Sequence, residues 1–181
     1  MSPAQHLALR CLTALLLSAI ISALAWAAPP AADAANATTT VYLVRHAEKA
    51  DGDDPALSPA GQARATTLAH VLADAGLAAV FVTDTRRSRD TAAPVAAATG
   101  LAPTRYDARD ARALAATVRA DHAGQAVLVV GHSNTLDDLA AAFGAQGLAD
   151  LDESQYDRLY VLRGGGDGAH LARLRYGVPT P

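Results

Sequence analysis

The chain has 181 residues, of which 51% are hydrophobic and 18% charged, and this balance excludes a disordered tail, a collagen-like repeat and a polytopic membrane protein. The formal net charge of -3 gives no reason to expect nucleic acid or an anionic lipid surface as a partner. The length predicts one domain rather than two.

The N-terminal segment, residues 1–27, has the pattern of a secretory signal peptide. An apolar run over residues 12–26 is shorter than the ~20 residues that span a bilayer, and residues 25–27 form a small-x-small cleavage pattern. We therefore expect cleavage after Ala27, a periplasmic or secreted protein, and no membrane contact after cleavage; an uncleaved anchor is the alternative. Residues 28–40, rich in Ala, Pro and Thr, are predicted to be a flexible lead-in.

From Val41 onward, short apolar runs typical of strands alternate with segments of helical periodicity. The predicted strands cover residues 41–44, 80–82, 104–106 and 127–130, and residues 159–162 and 171–176 are predicted to form a closing hairpin. Four helices are predicted. The first begins after the cap Ser58, the second covers roughly residues 87–99, the third begins after the cap Asp110, and the fourth follows the strand 127–130. This alternation predicts an α/β fold over residues 41–177: a three-layer α/β/α domain with a mostly parallel central sheet and a C-terminal antiparallel hairpin.

Chemically distinctive side chains follow the predicted strands. In chain order they are Arg45, His46, Lys49, Arg87, Asp107 and His132. Open α/β sheets bind ligands beyond the carboxyl ends of their strands, so we expect these residues to meet at one edge of the sheet. Arginine suits phosphate oxygens, helix N-termini after the second and fourth strands would add N–H groups, and a neutral imidazole is a nucleophile toward phosphorus. The sequence therefore predicts an anion site with histidine chemistry.

Four motifs occur in order along this segment. They are Arg45-His46-Ala47, similar to an Arg-His-Gly signature, the helix start Leu57-Ser58-Pro59-Ala60-Gly61, the spacing from Arg87 to Thr91-Ala92, and Gly131-His132-Ser133. Together they resemble the histidine phosphatase superfamily, the phosphoglycerate mutase-like group, and the resemblance spans residues 41–176. The chain is similar in scale to the small phosphohistidine phosphatases of that group.

The resemblance implies a phosphatase that works through a covalent phosphohistidine. It implies that His46 is the residue phosphorylated and that Arg45, Arg87 and His132 hold the phosphoryl group of a small phosphorylated substrate. Lys49 stands where the acid phosphatase branch carries an extra arginine and is a candidate phosphate contact. The chain lacks the long insertion that mutases carry after the second arginine, which argues against mutase activity.

The proton donor is a separate question. Asp107 is the candidate donor, with a turn residue as the alternative, whereas Asp110 is more simply a helix cap. Loops 50–57 and 145–157 are expected to set substrate selectivity. The arginines supply positive charge and the chain has no cluster with zinc-ligand spacing, so we expect neither a metal nor a cofactor.

Two other classes of function stay open from the sequence alone. One is a non-catalytic domain that binds or senses phosphate. The other is a serine hydrolase with Ser133 as nucleophile, because residues 131–135 resemble the G-x-S-x-G elbow, although the second glycine is missing. An assay of phosphate ester and carboxyl ester cleavage distinguishes the three.

Overall fold

The computed structural model describes residues 38–165 and 168–181. The signal peptide predicted for residues 1–27 lies outside the described residues, as does all but the end of the lead-in predicted for residues 28–40. Among the residues that are described, no helix has the length and apolar character required to cross a membrane.

The described residues form one six-stranded sheet. Its strands are β1 (Thr39–Arg45), β2 (Leu77–Val82), β3 (Thr104–Arg105), β4 (Ala126–Gly131), β5 (Arg158–Gly165) and β6 (Gly168–Arg175). They lie in the order β3-β2-β4-β1-β5-β6. The first four strands pair in parallel, whereas β5 pairs antiparallel with β1 and β6. The predicted mostly parallel sheet with a C-terminal antiparallel hairpin is therefore confirmed.

Helices cover both faces of this sheet. They are α1 (Pro59–Val71), α2 (Arg86–Thr99), α3 (Ala111–Asp121) and α4 (Leu136–Ala142). Leu68 of α1 and Val95 of α2 belong to one hydrophobic cluster, while Val118 of α3 and Leu139 of α4 belong to another. The sheet separates these two clusters, which confirms the predicted three-layer architecture.

β4 is the most deeply buried strand. Val127 and Val129 pack in the cluster with α3 and α4, whereas Leu128 and Val130 pack in the cluster with α1 and α2. All four side chains are fully buried. This is the double-faced burial that a continuous apolar run predicts for a parallel strand.

Both predicted helix caps are present. Ser58 Oγ accepts a hydrogen bond of 3.2 Å from Gly61 N, and Asp110 Oδ1 accepts one of 2.9 Å from Ala113 N. The start of β2 differs from the prediction, because the strand begins at Leu77 rather than Val80. Alanines 78 and 79 carry a weak strand preference, and pairing with β4 overrides it.

The start of α1 lies directly against the loop that follows β1. Ser58 N donates to Glu48 O at 2.9 Å, and a Cβ atom built on Gly61 would lie only 2.1 Å from the same carbonyl oxygen. Glycine is therefore required at this position, because any side chain would push α1 away from the residues that follow His46.

We predict that Gly61→Ala destabilises the protein. In an exposed helix interior the same substitution raises the free energy of unfolding by roughly 1 kcal/mol. Overpacking lowers it by about 1–3 kcal/mol, so we expect a net loss of stability here. Urea denaturation of the purified domain measures the change. Ala60→Gly, at the exposed neighbouring position, is the control and should show only the ordinary propensity loss. A Gly61→Ala protein as stable as the wild type would contradict the steric argument.

Candidate active site

The pairing of β1 with β4 brings the two histidine motifs together. Arg45 and Gly131 are register partners at the carboxyl ends of these strands, and His46 N continues the ladder by donating to Gly131 O at 2.9 Å. The next residue along each strand is a histidine. The ring centroids of His46 and His132 are 5.3 Å apart, with an interplanar angle of 65°.

A cavity of about 350 Å³ lies over these two rings. Its lining includes five of the residues predicted from the sequence, namely Arg45, His46, Lys49, Arg87 and His132. It also includes Arg109 and Glu153, which the sequence analysis did not select. The structure thus brings the predicted cations and histidines together and adds one cation and one carboxylate to them.

The hydrogen bond of His46 determines which ring nitrogen carries the proton. His46 Nδ1 lies 2.8 Å from Ala47 O in a buried contact. A carbonyl oxygen can only accept, so Nδ1 must be the protonated nitrogen. In the neutral ring Nε2 therefore keeps its lone pair, and this is the atom available as a nucleophile.

Burial keeps both rings neutral. Burial, together with the Coulomb effects of His132, Arg45 and Arg87, lowers the pKa of His46 to about 3 despite the opposing hydrogen bond to Ala47. Burial, Arg87 and Arg45 lower the pKa of His132 to about 4. Both side chains therefore lack a positive charge at neutral pH, and the lone pair on His46 Nε2 is present.

A chain of hydroxyl groups orients His132. Its Nε2 lies 3.0 Å from Thr83 Oγ1, and that hydroxyl donates to Ser88 Oγ at 2.8 Å. Because the proton of Thr83 is used in this way, His132 Nε2 donates to the threonine oxygen. Thr83 and Ser88 are both buried, so the network fixes the ring from the side of β2 and α2.

Arg45 is almost completely buried, with 1% of its side chain exposed. Its Nη1 donates to Asp152 O at 2.9 Å and to Gln155 O at 3.2 Å. Its Nη2 donates to Glu153 Oε2 at 2.9 Å and to Tyr156 Oη at 3.3 Å. These contacts use all four Nη protons, whereas the buried Nε has no partner among the described residues.

Arg87 is less buried than Arg45, with 23% of its side chain exposed. Its Nη1 lies 3.8 Å from Asp54 Oδ1, and its buried Nε also has no partner in the described parts of the chain. The site therefore contains two arginine Nε–H groups that make no hydrogen bond to residues 38–165 or 168–181.

The prediction that helix N-termini supply free N–H groups is not supported for two such groups at α2, and a third N–H, in the loop before α4, is also occupied. Arg86 N, at the start of α2, donates to Asp54 Oδ1 at 2.8 Å, and Ser88 N donates to Thr85 Oγ1 at 3.4 Å. Before α4, His132 N donates to Thr135 Oγ1 at 3.1 Å. Local side chains satisfy these donors, which are then not free for a ligand.

Asp107 does not line the cavity that contains the histidines. It lines a separate cavity beside β3, and its Oδ1 accepts a hydrogen bond of 2.9 Å from Arg109 N. Asp107 O accepts from Asp110 N at 3.0 Å. These contacts are those of a turn residue, the alternative that the sequence left open, and the donor role of Asp107 stays a prediction. Asp110 caps α3 as predicted.

Ser133 is buried, and its hydroxyl donates to Glu153 Oε1 at 2.8 Å. A serine hydrolase needs a histidine base bonded to the nucleophilic oxygen, and here the partner is a carboxylate instead. Within residues 38–165 and 168–181, no group of three or more His, Cys, Asp or Glu side chains could hold a metal ion.

Residues 41–111 match the histidine phosphatase superfamily (branch 1). The matched segment contains three of the four motifs on which the predicted resemblance rests. No curated protein matches the sequence of the chain. The histidine phosphatase assignment places Arg45, His46 and Arg87 within the matched segment, whereas His132 lies beyond it.

Solved structures extend the likeness over most of the chain. A protein of Escherichia coli K-12, provisionally assigned as an alpha-ribazole-5'-P phosphatase, has a TM-score of 0.64 at 15% identity, covering 78% of this chain and 99% of its own. Mycobacterial glucosyl-3-phosphoglycerate phosphatase has a TM-score of 0.61 at 16% identity, covering 77% and 98%. A Nakamurella multipartitia protein, provisionally assigned as phosphohistidine phosphatase SixA, has a TM-score of 0.54 at 23% identity, covering 78% and 96%.

At these identities the solved structures establish a shared fold. The family match over residues 41–111 agrees with the predicted enzyme class, a histidine-type phosphatase. Arg109 and Glu153 carried no sequence signal, because neither belongs to a family motif or directly follows a strand. Only the tertiary fold shows that they reach the same cavity as His46.

The low pKa values of the two histidines predict how the stability of the protein depends on pH. In the unfolded chain each ring takes up a proton near pH 6.5, whereas the folded values are about 3 for His46 and about 4 for His132. Below pH 6.5 the unfolded state therefore binds more protons. The stability that the neutral rings contribute is present above pH 6.5 and is lost as the pH falls toward 4.

We predict that Tm in phosphate-free buffer falls between pH 7 and pH 5, a window in which histidines rather than carboxyl groups dominate the titration. His132→Asn removes one titrating ring and should flatten this dependence, whatever its effect on Tm at pH 7. His70→Asn, at an exposed position of α1, is the control and should leave the slope unchanged. Parallel curves for the wild type and His132→Asn would contradict the low pKa of His132.

Proposed function

We propose that the protein hydrolyses a small phosphomonoester, or a phosphohistidine-type P–N bond, through a covalent phosphohistidine on His46. The observation that carries the proposal is the contact between His46 Nδ1 and Ala47 O, which leaves the lone pair on Nε2. That nitrogen belongs to a ring that lines a cavity together with three arginines and a lysine. A lone pair beside fixed positive charge suits attack on a phosphoryl group.

The arginines supply the groups that would hold the phosphoryl oxygens. Arg45 Nε and Arg87 Nε are buried donors without a partner among the described residues. An unpaired buried donor costs free energy, and a phosphoryl oxygen would remove that cost at both positions. Arginine cannot lose its proton in a protein, so this positive charge persists at every working pH.

The reaction has two steps. In the first, His46 Nε2 forms a bond to phosphorus while the bond to the leaving group breaks, and the leaving group takes a proton from solvent water. In the second, water forms the new P–O bond while the P–Nε2 bond breaks, and its electron pair returns to the ring. Arg45 and Arg87 stabilise the charge on the equatorial oxygens. His132 adds to this in its protonated form, because the one N–H of the neutral ring is bound to Thr83. Lys49, which lines the same cavity, is an additional phosphate contact.

The substrate is a small phosphorylated compound. The similar solved structures carry names that refer to a sugar-derived phosphoglycerate, a ribazole phosphate and phosphohistidine. These names cover two kinds of bond, primary alkyl phosphate esters and a P–N bond, and both kinds belong in the panel with which the purified protein should be screened. Selectivity would come from loops 50–57 and 145–157, as the sequence analysis expects.

We predict that His46→Ala abolishes hydrolysis of p-nitrophenyl phosphate, because the substitution removes the atom that forms the bond to phosphorus. Quenching the wild-type protein during turnover with alkaline detergent should trap a phosphoryl group on histidine that is stable in base and lost in acid, and this label should be absent from the variant. His70→Ala, which changes an exposed histidine, is the matched control and should retain the wild-type rate.

Three results would reject the proposal. A His46→Ala protein with more than a few per cent of the wild-type rate would remove His46 as the nucleophile. Tight binding of inorganic phosphate without turnover of any substrate in the panel would indicate a phosphate-binding domain instead. Cleavage of p-nitrophenyl acetate that depends on Ser133 would indicate a serine hydrolase.

We also propose that the mature protein is exported and starts near Ala28. The support is the apolar run of residues 12–26 followed by the small residues at 25 and 27. Mass spectrometry of the native protein from fractionated cells should find a chain that begins near Ala28 in the periplasmic or extracellular fraction. An intact N-terminus in the membrane fraction would instead identify residues 12–26 as an anchor.

A further inference from the structure

A turn between α4 and β5 is bound to Arg45 and reaches the cavity. Gln155 N donates to Asp152 O at 2.9 Å and closes the turn, and Arg45 Nη1 donates to the carbonyl oxygens of both residues. The guanidinium also stacks on Tyr156, with its Cζ 4.0 Å from the ring centroid. The turn therefore has a fixed position relative to Arg45, and Glu153 is at its apex.

We propose that Glu153 is the general base for the second step, accepting a proton from the water that hydrolyses the phosphohistidine. This inference rests on the proposed function of His46. Glu153 is the acidic residue that lines the same cavity as His46 and His132 in the described part of the chain. No sequence motif selects it, and its role differs from that predicted for Asp107, which is to donate a proton to the leaving group in the first step.

Two hydrogen bonds fix the carboxylate while leaving it accessible. Glu153 Oε1 accepts from Ser133 Oγ at 2.8 Å, and Oε2 accepts from Arg45 Nη2 at 2.9 Å. Each oxygen retains a second lone pair for a further donor. The Glu153 side chain is 77% exposed, so water can reach it although its orientation is fixed from both sides.

The same contacts keep the group in the form that a base requires. The hydrogen bond from Ser133 and the positive charge of Arg45 lower the pKa of the Glu153 carboxyl group. The carboxylate is therefore ionised when water enters. As the new P–O bond forms and the P–Nε2 bond breaks, one water proton moves to Glu153, and the carboxyl group then releases this proton to solvent.

The test measures the decay of the phosphoenzyme directly. The wild-type protein and Glu153→Gln are labelled briefly with radioactive p-nitrophenyl phosphate, chased with an excess of unlabelled substrate, and quenched to follow the label on His46. We expect the decay to slow about 10²–10⁴-fold in Glu153→Gln, the usual contribution of a positioned base. Labelling itself should change little, because p-nitrophenolate leaves without a proton.

Two matched variants control for charge and for the earlier candidate. Asp150→Asn removes an equal charge from an exposed position of the same loop, and Asp107→Asn removes the carboxylate beside β3. Both should label and decay at wild-type rates. Ser133→Ala removes one of the two bonds that hold Glu153 and should slow decay by less than Glu153→Gln does, which keeps the test valid if Glu153→Gln folds poorly.

Three outcomes would overturn the role of Glu153 as the base. A fourth outcome would instead reject the proposed function. Equal decay rates in the wild type and Glu153→Gln would exclude the base. An unchanged decay rate with a lower KM and tighter inhibition by phosphate would show that Glu153 only competes with the substrate for Arg45. Slower decay in Asp107→Asn would assign the role to Asp107. A wild-type protein that never acquires label on His46 would reject the phosphohistidine mechanism itself.

Discussion

The parallel pairing of β1 with β4 determines where the chemical groups of the site lie. Val44 and Val130 are partners near the end of this ladder, and Arg45 and Gly131 are partners at its end. Both strands are buried from two sides, so a slip of one residue would exchange every side chain between the two hydrophobic clusters. The packing that fixes the core register therefore also sets the 5.3 Å separation between the rings of His46 and His132.

Burial of Arg45 also affects the shape of the loop that precedes β5. A guanidinium has five donors, and leaving them unpaired in the interior is costly. Four are satisfied by the segment 152–156, more than a hundred residues further along the chain. Hydrogen bonds to Arg45 therefore hold that segment in place at the end of β1. The same hydrogen bonds hold Glu153 at the cavity.

The fold was predictable from the sequence because its determinants are local. The apolar run of β4 and the caps at Ser58 and Asp110 act within a few residues, and the structure has all three where they were predicted. The cations and histidines after β1, β2 and β4 were likewise predictable, because parallel strands bring their carboxyl ends to one edge. Glu153 was not predictable in this way, because its contacts with Arg45 and Ser133 are formed only by the tertiary fold. Asp107 follows a strand as the others do, but its carboxylate is used by its own turn.

In the electrostatics of the site, the arginines supply the positive charge and the histidines stay neutral. The arginines hold permanent charge, and that charge, added to burial, lowers the pKa of both His46 and His132. A site built from histidinium ions would attract an anion equally well but would have no lone pair with which to attack it. An anion bound between Arg45 and Arg87 opposes their effect and raises the pKa of both rings. For His46 the raised proton affinity accompanies a stronger nucleophile, because the electrons that bind a proton also form the bond to phosphorus. The burial that is costly in the free protein therefore keeps Nε2 free of a proton, so that its lone pair is available when an anion enters the cavity.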